Sequence, residues 1–211
     1  MMLRRPIDRF LLRTLLWLGP LFVLWYVLAP LLLKPVVGWT HFALSHWFSH
    51  AIASVEQQGA TVDIVTRFVM AAPTEGSAPP GARGQVVFAI NALKYAYGLP
   101  LLLALTLAAP TAVGEKLYRA VMGGLLLLPV LVWGLACEAL KTLVFDMNPA
   151  IAVQMGTTPL TRELLVLAYQ LGYLILPAVT PILIWAAFHR DFLGELLPQT
   201  RRATPAIPRS N

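Results

Sequence analysis

The sequence predicts an all-α integral membrane protein with four transmembrane helices and a small extracytoplasmic insertion, which holds an interfacial amphipathic helix and a β-hairpin. Apolar residues make up 58% of the 211 positions and charged residues only 12%. Soluble domains are roughly half apolar and about a quarter charged, so much of this surface needs lipid as its solvent. Long uncharged stretches and the concentration of arginines near the two chain ends support the same class.

The first predicted span covers residues 14–33, which carry no charge and follow a basic N-terminal segment, residues 1–13. A helix needs about 20 apolar residues to cross the hydrocarbon core. A secretory signal peptide would have a shorter apolar core, about 7–15 residues, followed by a small-residue cleavage site. Neither feature is evident, so we expect an uncleaved membrane anchor.

Residues 36–96 are predicted to lie outside the cytoplasm, beginning with an amphipathic helix over residues 36–55. The apolar face of this helix is predicted to hold Val37, Leu44, Trp47, Phe48, Ala51, Ile52 and Val55. Its other face holds Ser45, His46, Ser49 and His50. Such a pattern favours a helix in the membrane interface, whereas a further span would bury costly polar groups. The sequence leaves both arrangements open.

A β-hairpin is predicted over residues 61–91. Val62, Ile64 and Phe68 alternate with polar residues, and Val86, Phe88 and Ile90 share one face of a second strand. Period-two alternation is typical of half-buried strands. The intervening segment, residues 71–83, is rich in Pro and Gly and is predicted to be a flexible loop that joins two antiparallel strands.

Three further spans are predicted over residues 97–113, 117–145 and 162–189. Gly123, Gly124 and Gly134 are expected to let neighbouring helices approach closely. Pro129 is expected to kink the third span, and Pro177 and Pro181 lie within the fourth. The basic tail, residues 190–211, is predicted to be disordered.

The distribution of Lys and Arg predicts the orientation. Ten of the 16 flank one side of the predicted membrane: Arg4, Arg5, Arg9, Arg13, Lys116, Arg119, Arg190, Arg201, Arg202 and Arg209. The other six are spread over longer connections. We therefore expect a multi-pass protein of a bacterial inner membrane with both termini in the cytoplasm. This pattern also explains the net charge of +6 without a nucleic-acid partner.

Six polar residues near the predicted outer ends of the spans form the candidate binding site. They are Asn91, Lys94, Glu138, Lys141, Arg162 and Gln170. Ionisable groups at membrane depth are expensive, and an outward-facing groove for a peptide or a partner helix would explain them. The alternative is that these side chains reach into the interface, with a structural ion pair between Glu138 and Lys141 at i and i+3.

No catalytic residue, metal site or cofactor is predicted. Cys137 could act as a thiol nucleophile, but no local motif pairs it with a histidine, so we favour its role as a small apolar filler. His46 and His50, at i and i+4, could share a metal only with further ligands that the spacing does not supply. A single cysteine excludes an intrachain disulfide.

Five segments, in this order and spacing, resemble the exosortase H-associated membrane proteins of Gram-negative bacteria. They are RFLLRTLLWLGPLFVLWYVLAPLLL, VEQQGATVDIVTR, FAINALKYAYGLPLLLAL, VLVWGLACEALKTLVF and RELLVLAYQLGYLILP. The resemblance covers most of residues 9–190. The most specific pieces are VEQQG and YGLPLLLAL, because they combine polar with apolar residues.

The resemblance implies that the chain accompanies an exosortase. Exosortases are membrane-embedded cysteine proteases that process secreted proteins at a C-terminal tag, and type H handles an IPTL-type motif followed by a span and basic residues. The Cys, Arg and His set of the exosortase has no matching pattern here. We therefore expect a non-catalytic accessory protein that binds the sortase or its tagged substrate helix. An enzyme acting on peptide or lipid through Cys137 and a small transporter remain alternatives.

Overall fold

A computed structural model of the chain describes residues 6–71 and 83–196. Residues 72–82 of the predicted flexible loop, the first five residues of the basic N-terminus and the tail beyond residue 196 lie outside the described residues. The helices are α1 (Pro6–Leu32), α2 (Lys34–Trp47), α3 (Leu93–Ala96), α4 (Gly98–Ala108), α5 (Val113–Lys141), α6 (Pro149–Gln154), α7 (Pro159–Gln170), α8 (Leu176–Phe188) and α9 (Arg190–Leu196). The π-helical turns Thr142–Asp146 and Leu171–Ile175 continue α5 and join α7 to α8. The strands are β1 (Ile52–Gln58), β2 (Thr61–Ala71) and β3 (Arg83–Asn91).

Three helical stretches of the described chain are long and apolar enough to cross a membrane. They are Ile7–Leu32, Val113–Asp146 and Pro159–Phe188, with 26, 34 and 30 residues and mean hydropathies of 2.0, 2.2 and 1.9. The class of helical membrane protein is therefore confirmed. Each stretch begins before the corresponding predicted span, which starts at residue 14, 117 or 162. The difference is largest for the first stretch, at about two helical turns.

The predicted span over residues 97–113 is shorter in the structure, so four spans are not confirmed. The apolar helical segment Leu93–Ala108 falls below the length of the other three. It ends where Ala109 adopts an extended conformation, with φ −66° and ψ 142°. Pro110 follows, and a residue before proline is pushed out of the helical region. The chain then turns into α5.

The segment Leu93–Ala108, which comprises α3 and α4, contacts the apolar clusters at both ends of the bundle. Leu102, Ala104 and Thr106 are almost completely buried. At the sheet end of the bundle, the end that carries β1–β3, Tyr95 and Ala96 belong to the same apolar cluster as Ala29 of α1. At the opposite end, which we call the basic end, Leu105 and Ala108 pack with Phe10 and Trp185. The first residues of α1 and the last residues of α4 and α8 therefore meet.

Glycines allow close contact between these helices. A methyl group at Gly98 would lie 2.6 Å from the carbonyl oxygen of Pro177. At Gly134 a methyl group would clash with the ring of Tyr95, and at Gly123 it would lie 2.7 Å from a methyl group of Leu102. Small residues let helix backbones approach in membranes. The predicted small-residue faces thus pack against the chain's own helices.

The predicted amphipathic helix over residues 36–55 is wrong in its second half. α2 ends at Trp47, and Ile52–Gln58 forms the strand β1. Ile52 and Val55 pair with Thr66 and Ile64 on β2, so tertiary pairing overrides the helical pattern of the sequence. Trp47, which was predicted to lie on the apolar, membrane-facing side of this helix, has a side chain that is 72% exposed.

The strands form an antiparallel sheet in the order β1-β2-β3. The two strands of the predicted hairpin pair with Val62 opposite Ile90 and Ile64 opposite Phe88. Val62, Ile64 and Ile90 are buried against α2 and the sheet end of the bundle. Gly59, with φ +64°, forms the turn between β1 and β2, a conformation that glycine adopts without a steric penalty.

The predicted disorder of the tail is wrong for its first residues, which form α9. Phe192 of α9 packs edge-on against Phe10, with ring centroids 5.4 Å apart. This contact packs α9 against the start of α1. The charged residues around Phe192 in the sequence had instead favoured a disordered tail.

Candidate functional site

A buried carboxylate lies where α3 meets α5 at the sheet end. β3 ends at Asn91, whose side-chain oxygen accepts a hydrogen bond from the backbone N–H of Leu93, 3.0 Å away, and so helps to start α3. Lys94 and Tyr95 of α3 then both reach Glu138: the lysine forms a salt bridge and the tyrosine hydroxyl donates a hydrogen bond. The side chain of Glu138 is 12% exposed. Its charge is compensated by the chain itself.

Aromatic rings connect this carboxylate to a second ion pair. Tyr95 packs edge-on against Tyr173, and Tyr173 stacks on Tyr169 with 5.8 Å between centroids. The ammonium of Lys141 lies 5.5 Å from the ring centroid of Tyr169 and 2.6 Å from a carboxylate oxygen of Asp146. The predicted pair between Glu138 and Lys141 is therefore wrong, because each residue has a different partner.

Arg162 and Gln170 lie apart from these ion pairs, on α7. With Glu163 and Phe145 they line a shallow cavity of about 430 Å³. Nε of Arg162 donates to the hydroxyl of Thr157 over 3.1 Å. Spacing by i and i+8 places both predicted residues on one face of the helix. A capping box formed by Thr158 and Thr161 begins α7 and fixes this face relative to the preceding loop.

The structure thus divides the six predicted site residues into two sets. Asn91, Lys94, Glu138 and Lys141 hold their own elements together, whereas Arg162 and Gln170 line an open surface. The sequence did not reveal Tyr95 and Asp146 as partners. Tyr95 comes next to Lys94 and could have been suspected, but Asp146 reaches Lys141 through a π-helical turn that no spacing rule predicts.

Cys137 is buried and lines an apolar cavity of about 310 Å³ between α2, α5 and α7. Within the described residues its sulfur has no hydrogen-bond partner. Nδ1 of His41 accepts a hydrogen bond from the backbone N–H of Val55, and the ring of His46 stacks on Phe42. Residues 6–71 and 83–196 contain no group of three or more side chains that could hold a metal ion.

A second apolar cavity, of about 430 Å³, lies between α2 and α5. Its walls include the rings of Trp39, Phe42 and Trp47 from α2 and Trp133 from α5. The same three side chains of α2 are more than half exposed. The buried side of α2 is formed by other residues, Val36, Val37, Thr40 and Leu44. We refer to this space as the α2–α5 cavity.

At the basic end, His189 is 2% exposed and stacks on Trp185. Burial lowers the pKa of His189, and Arg119 lowers it further, while a hydrogen bond between Nδ1 and the carbonyl of Trp185, 2.9 Å long, opposes the shift. Nε2 of His189 and Nε1 of Trp185 have no hydrogen-bond partner in the described structure. The neutral imidazole is therefore the favoured form at this position.

Fold and site together define a helical membrane protein. It has a small sheet at one end, and the ion pairs Lys94–Glu138 and Lys141–Asp146 lie near that end. The sequence profile of one family, exosortase H-associated membrane protein, matches residues 4–192. The chain belongs to this family, whose name places it with the exosortase systems of bacteria. No match was found among curated proteins or among solved structures.

Proposed function

We propose that the chain is a non-catalytic accessory protein of an exosortase H protein-sorting system, which binds the sortase or its C-terminally tagged substrate. Membership of the family supports the association. The pairing of Lys94, Glu138, Lys141 and Asp146 within the chain supports a structural role for these charges. An accessory protein needs a surface for its partner, and α7 offers one.

The observation that carries this proposal is the exposure of α7. None of its residues is buried, although it begins an apolar stretch of 30 residues. Arg162, Glu163 and Gln170 lie on this helix beside exposed Leu164 and Leu167. Lipid tails cannot satisfy such polar groups. A partner helix could satisfy both the polar and the apolar residues of α7. It would supply hydrogen bonds near the membrane surface and an apolar face deeper in the membrane.

The proposal includes an arrangement in the bacterial inner membrane with four crossings and both termini in the cytoplasm. Support comes from the path of the segment Leu93–Ala108, which contacts the apolar clusters at opposite ends of the bundle. The 16 residues of Leu93–Ala108 extend about 24 Å at 1.5 Å per residue. This is less than the roughly 30 Å of a typical hydrocarbon core. Because α4 is surrounded largely by protein, local thinning or short flanking segments can compensate.

Site-specific photo-crosslinking tests the proposed partner. A benzophenone amino acid replaces Leu167, which is 60% exposed on α7, or Leu15, which is 67% exposed on α1 and serves as the control. The full-length protein is expressed with its exosortase and a tagged substrate. We expect Leu167 to give a crosslink to the sortase or the substrate, and Leu15 to give crosslinks to neither.

The double substitution Arg162→Ala and Gln170→Ala tests whether the polar face of α7 contributes. We expect less sortase or substrate to co-purify after gentle detergent extraction, whereas Gln58→Ala, on the sheet, leaves recovery unchanged. Equal recovery from both variants, together with normal sorting in a deletion strain, would refute the accessory role.

A further inference from the structure

Two neighbouring apolar hollows lie on either side of one aromatic ridge on α2. The ridge is formed by Trp39 and Phe42, which belong to the walls of both. The α2–α5 cavity on one side measures about 430 Å³, and a shallower hollow beside Pro35 and Gly38 measures about 410 Å³. The α5 wall of the cavity lies within the candidate span Val113–Asp146. The α2–α5 cavity therefore opens where acyl chains are the surrounding solvent.

The charge along α2 is of one sign. Lys34 begins the helix and is exposed. From Lys34 to Val55 the sequence contains no Asp or Glu. A lysine next to an aromatic, lipid-facing helix is typical of a membrane interface, where it can contact phosphate. The cation is adjacent in sequence to Pro35, at the edge of the shallower hollow.

We propose that this surface binds one anionic diacyl phospholipid of the bilayer. One acyl chain fills the α2–α5 cavity, the other lies in the hollow beside Pro35, and the phosphate-bearing headgroup contacts Lys34. The ridge of Trp39 and Phe42 separates the two chains. The charge of α2 complements an anionic headgroup and gives no preference to a zwitterionic one.

The dimensions favour a lipid over a helix of another protein. A helix with side chains is about 10–12 Å wide and packs with its axis about 8–10 Å from its neighbour. The α2–α5 cavity lies between two helices that belong to this chain, and Trp39, Trp47 and Trp133 narrow it from both sides. An acyl chain, one carbon atom wide, fits between these rings. The shallow cavity lined by Arg162, Glu163 and Gln170 shares no wall residue with the α2–α5 cavity and is therefore a separate surface.

Fluorescence quenching in nanodiscs tests the proposal with the full-length protein. The discs contain brominated phosphatidylglycerol or brominated phosphatidylcholine at equal mole fraction, because bromine on the acyl chain quenches tryptophan at contact. We expect stronger quenching by phosphatidylglycerol. Lys34→Gln should abolish the difference, whereas Arg13→Gln, at the other end of α1, should retain it. Equal quenching of the unaltered protein by the two lipids would overturn the assignment of an anionic headgroup.

A cavity-filling variant tests the position of the acyl chain. Ala136→Phe inserts a ring into the α2–α5 cavity, and Leu15→Phe on the exposed face of α1 is the matched control. We expect Ala136→Phe to lower the phosphatidylglycerol that co-purifies with the protein by about tenfold, equivalent to about 1.4 kcal/mol of binding free energy. Unchanged lipid content in this variant would overturn the site. A benzophenone at Ala43 that crosslinks to protein and not to lipid would overturn it as well.

Discussion

The carboxylate of Glu138 lies between the ammonium of Lys94 and the hydroxyl of Tyr95, so that each of its oxygens accepts one hydrogen bond. A buried charge is tolerated only when it is paired and hydrogen-bonded. Here the pair connects α3, which follows the sheet, to α5, which enters the membrane. At the scale of single residues, this contact helps to attach the sheet to the bundle, in addition to the apolar packing of the sheet against α2.

Replacing Lys94 by Met should destabilise the protein because it leaves Glu138 buried without its cation. Removal of one partner of a buried pair typically costs 3–5 kcal/mol, and the partial exposure of Lys94 lowers our expectation to about 2 kcal/mol. Restoring neutrality with Glu138→Leu in the same chain should recover part of the loss. Unfolding of the purified protein in mild detergent measures both variants. A double variant less stable than Lys94→Met alone would contradict this account.

His189 makes stability depend on pH at the basic end. Its pKa in the folded protein lies below the ordinary value of 6.5, first because of burial, and then because Arg119 and Lys116 outweigh Glu115. Protonation therefore favours the unfolded state. The stability associated with neutral His189 is fully present above the unfolded pKa and is lost as the pH falls through the folded pKa.

We therefore expect the unfolding temperature to fall between about pH 7.5 and about pH 5, and to fall less steeply in His189→Gln. His50→Gln is the control, because His50 is exposed in the turn that follows α2. Thermal unfolding in detergent across this range provides the measurement. Parallel curves for the unaltered protein and His189→Gln would show that another group is responsible.

At the scale of the elements, the sequence correctly predicted the helices and strands whose residues follow a local periodic pattern. The alternation of Val62, Ile64 and Phe68 is found in β2, and long uncharged runs are found in α1, α5 and α7–α8. Ile52 and Val55 fit a helical wheel equally well, and only their pairing with β2 makes them a strand. The pairing of Glu138 with Lys94 depends on tertiary approach, and that of Lys141 with Asp146 on a π-helical turn, so the sequence did not predict either pair.

The crossing of α5 with α3 provides a test of close packing. Gly134→Ala should destabilise the protein by about 1–3 kcal/mol, because the methyl group would overlap the ring of Tyr95. Gly124→Ala in the same helix is the matched control. Its methyl group would lie an ordinary 3.7 Å from Leu99, and alanine should favour the helix by up to about 1 kcal/mol.

Chemical or thermal unfolding compares the two alanine variants. We expect Gly134→Ala to lower the free energy of unfolding, and Gly124→Ala to leave it unchanged or to raise it. If Gly134→Ala is as stable as Gly124→Ala, Tyr95 can move away from α5 at little cost. Its hydrogen bond to Glu138 would then contribute less to the attachment of the sheet than we infer.

For the whole molecule, the number of crossings decides which surfaces a partner in the periplasm can reach. If α4 crosses the membrane, the turn at Ala112 lies in the cytoplasm and α6 lies outside. If α4 stays on one side, these two locations are exchanged, because α5 would then cross in the opposite direction. With the N-terminus in the cytoplasm, as we propose, the β1–β2 turn at Gln58 lies outside under both arrangements.

Labelling of single cysteines in intact cells distinguishes these arrangements. In a Cys137→Ala background, cysteine is introduced at Gln58, Ala112 or Gln154, all of which are exposed. We expect a membrane-impermeant maleimide to label Gln58→Cys and Gln154→Cys directly, and Ala112→Cys only after the cells are permeabilised. Direct labelling at Ala112 with protection at Gln154 would establish three crossings. The face of α7 that we assign to the partner would then begin in the cytoplasm, where no secreted substrate could reach it.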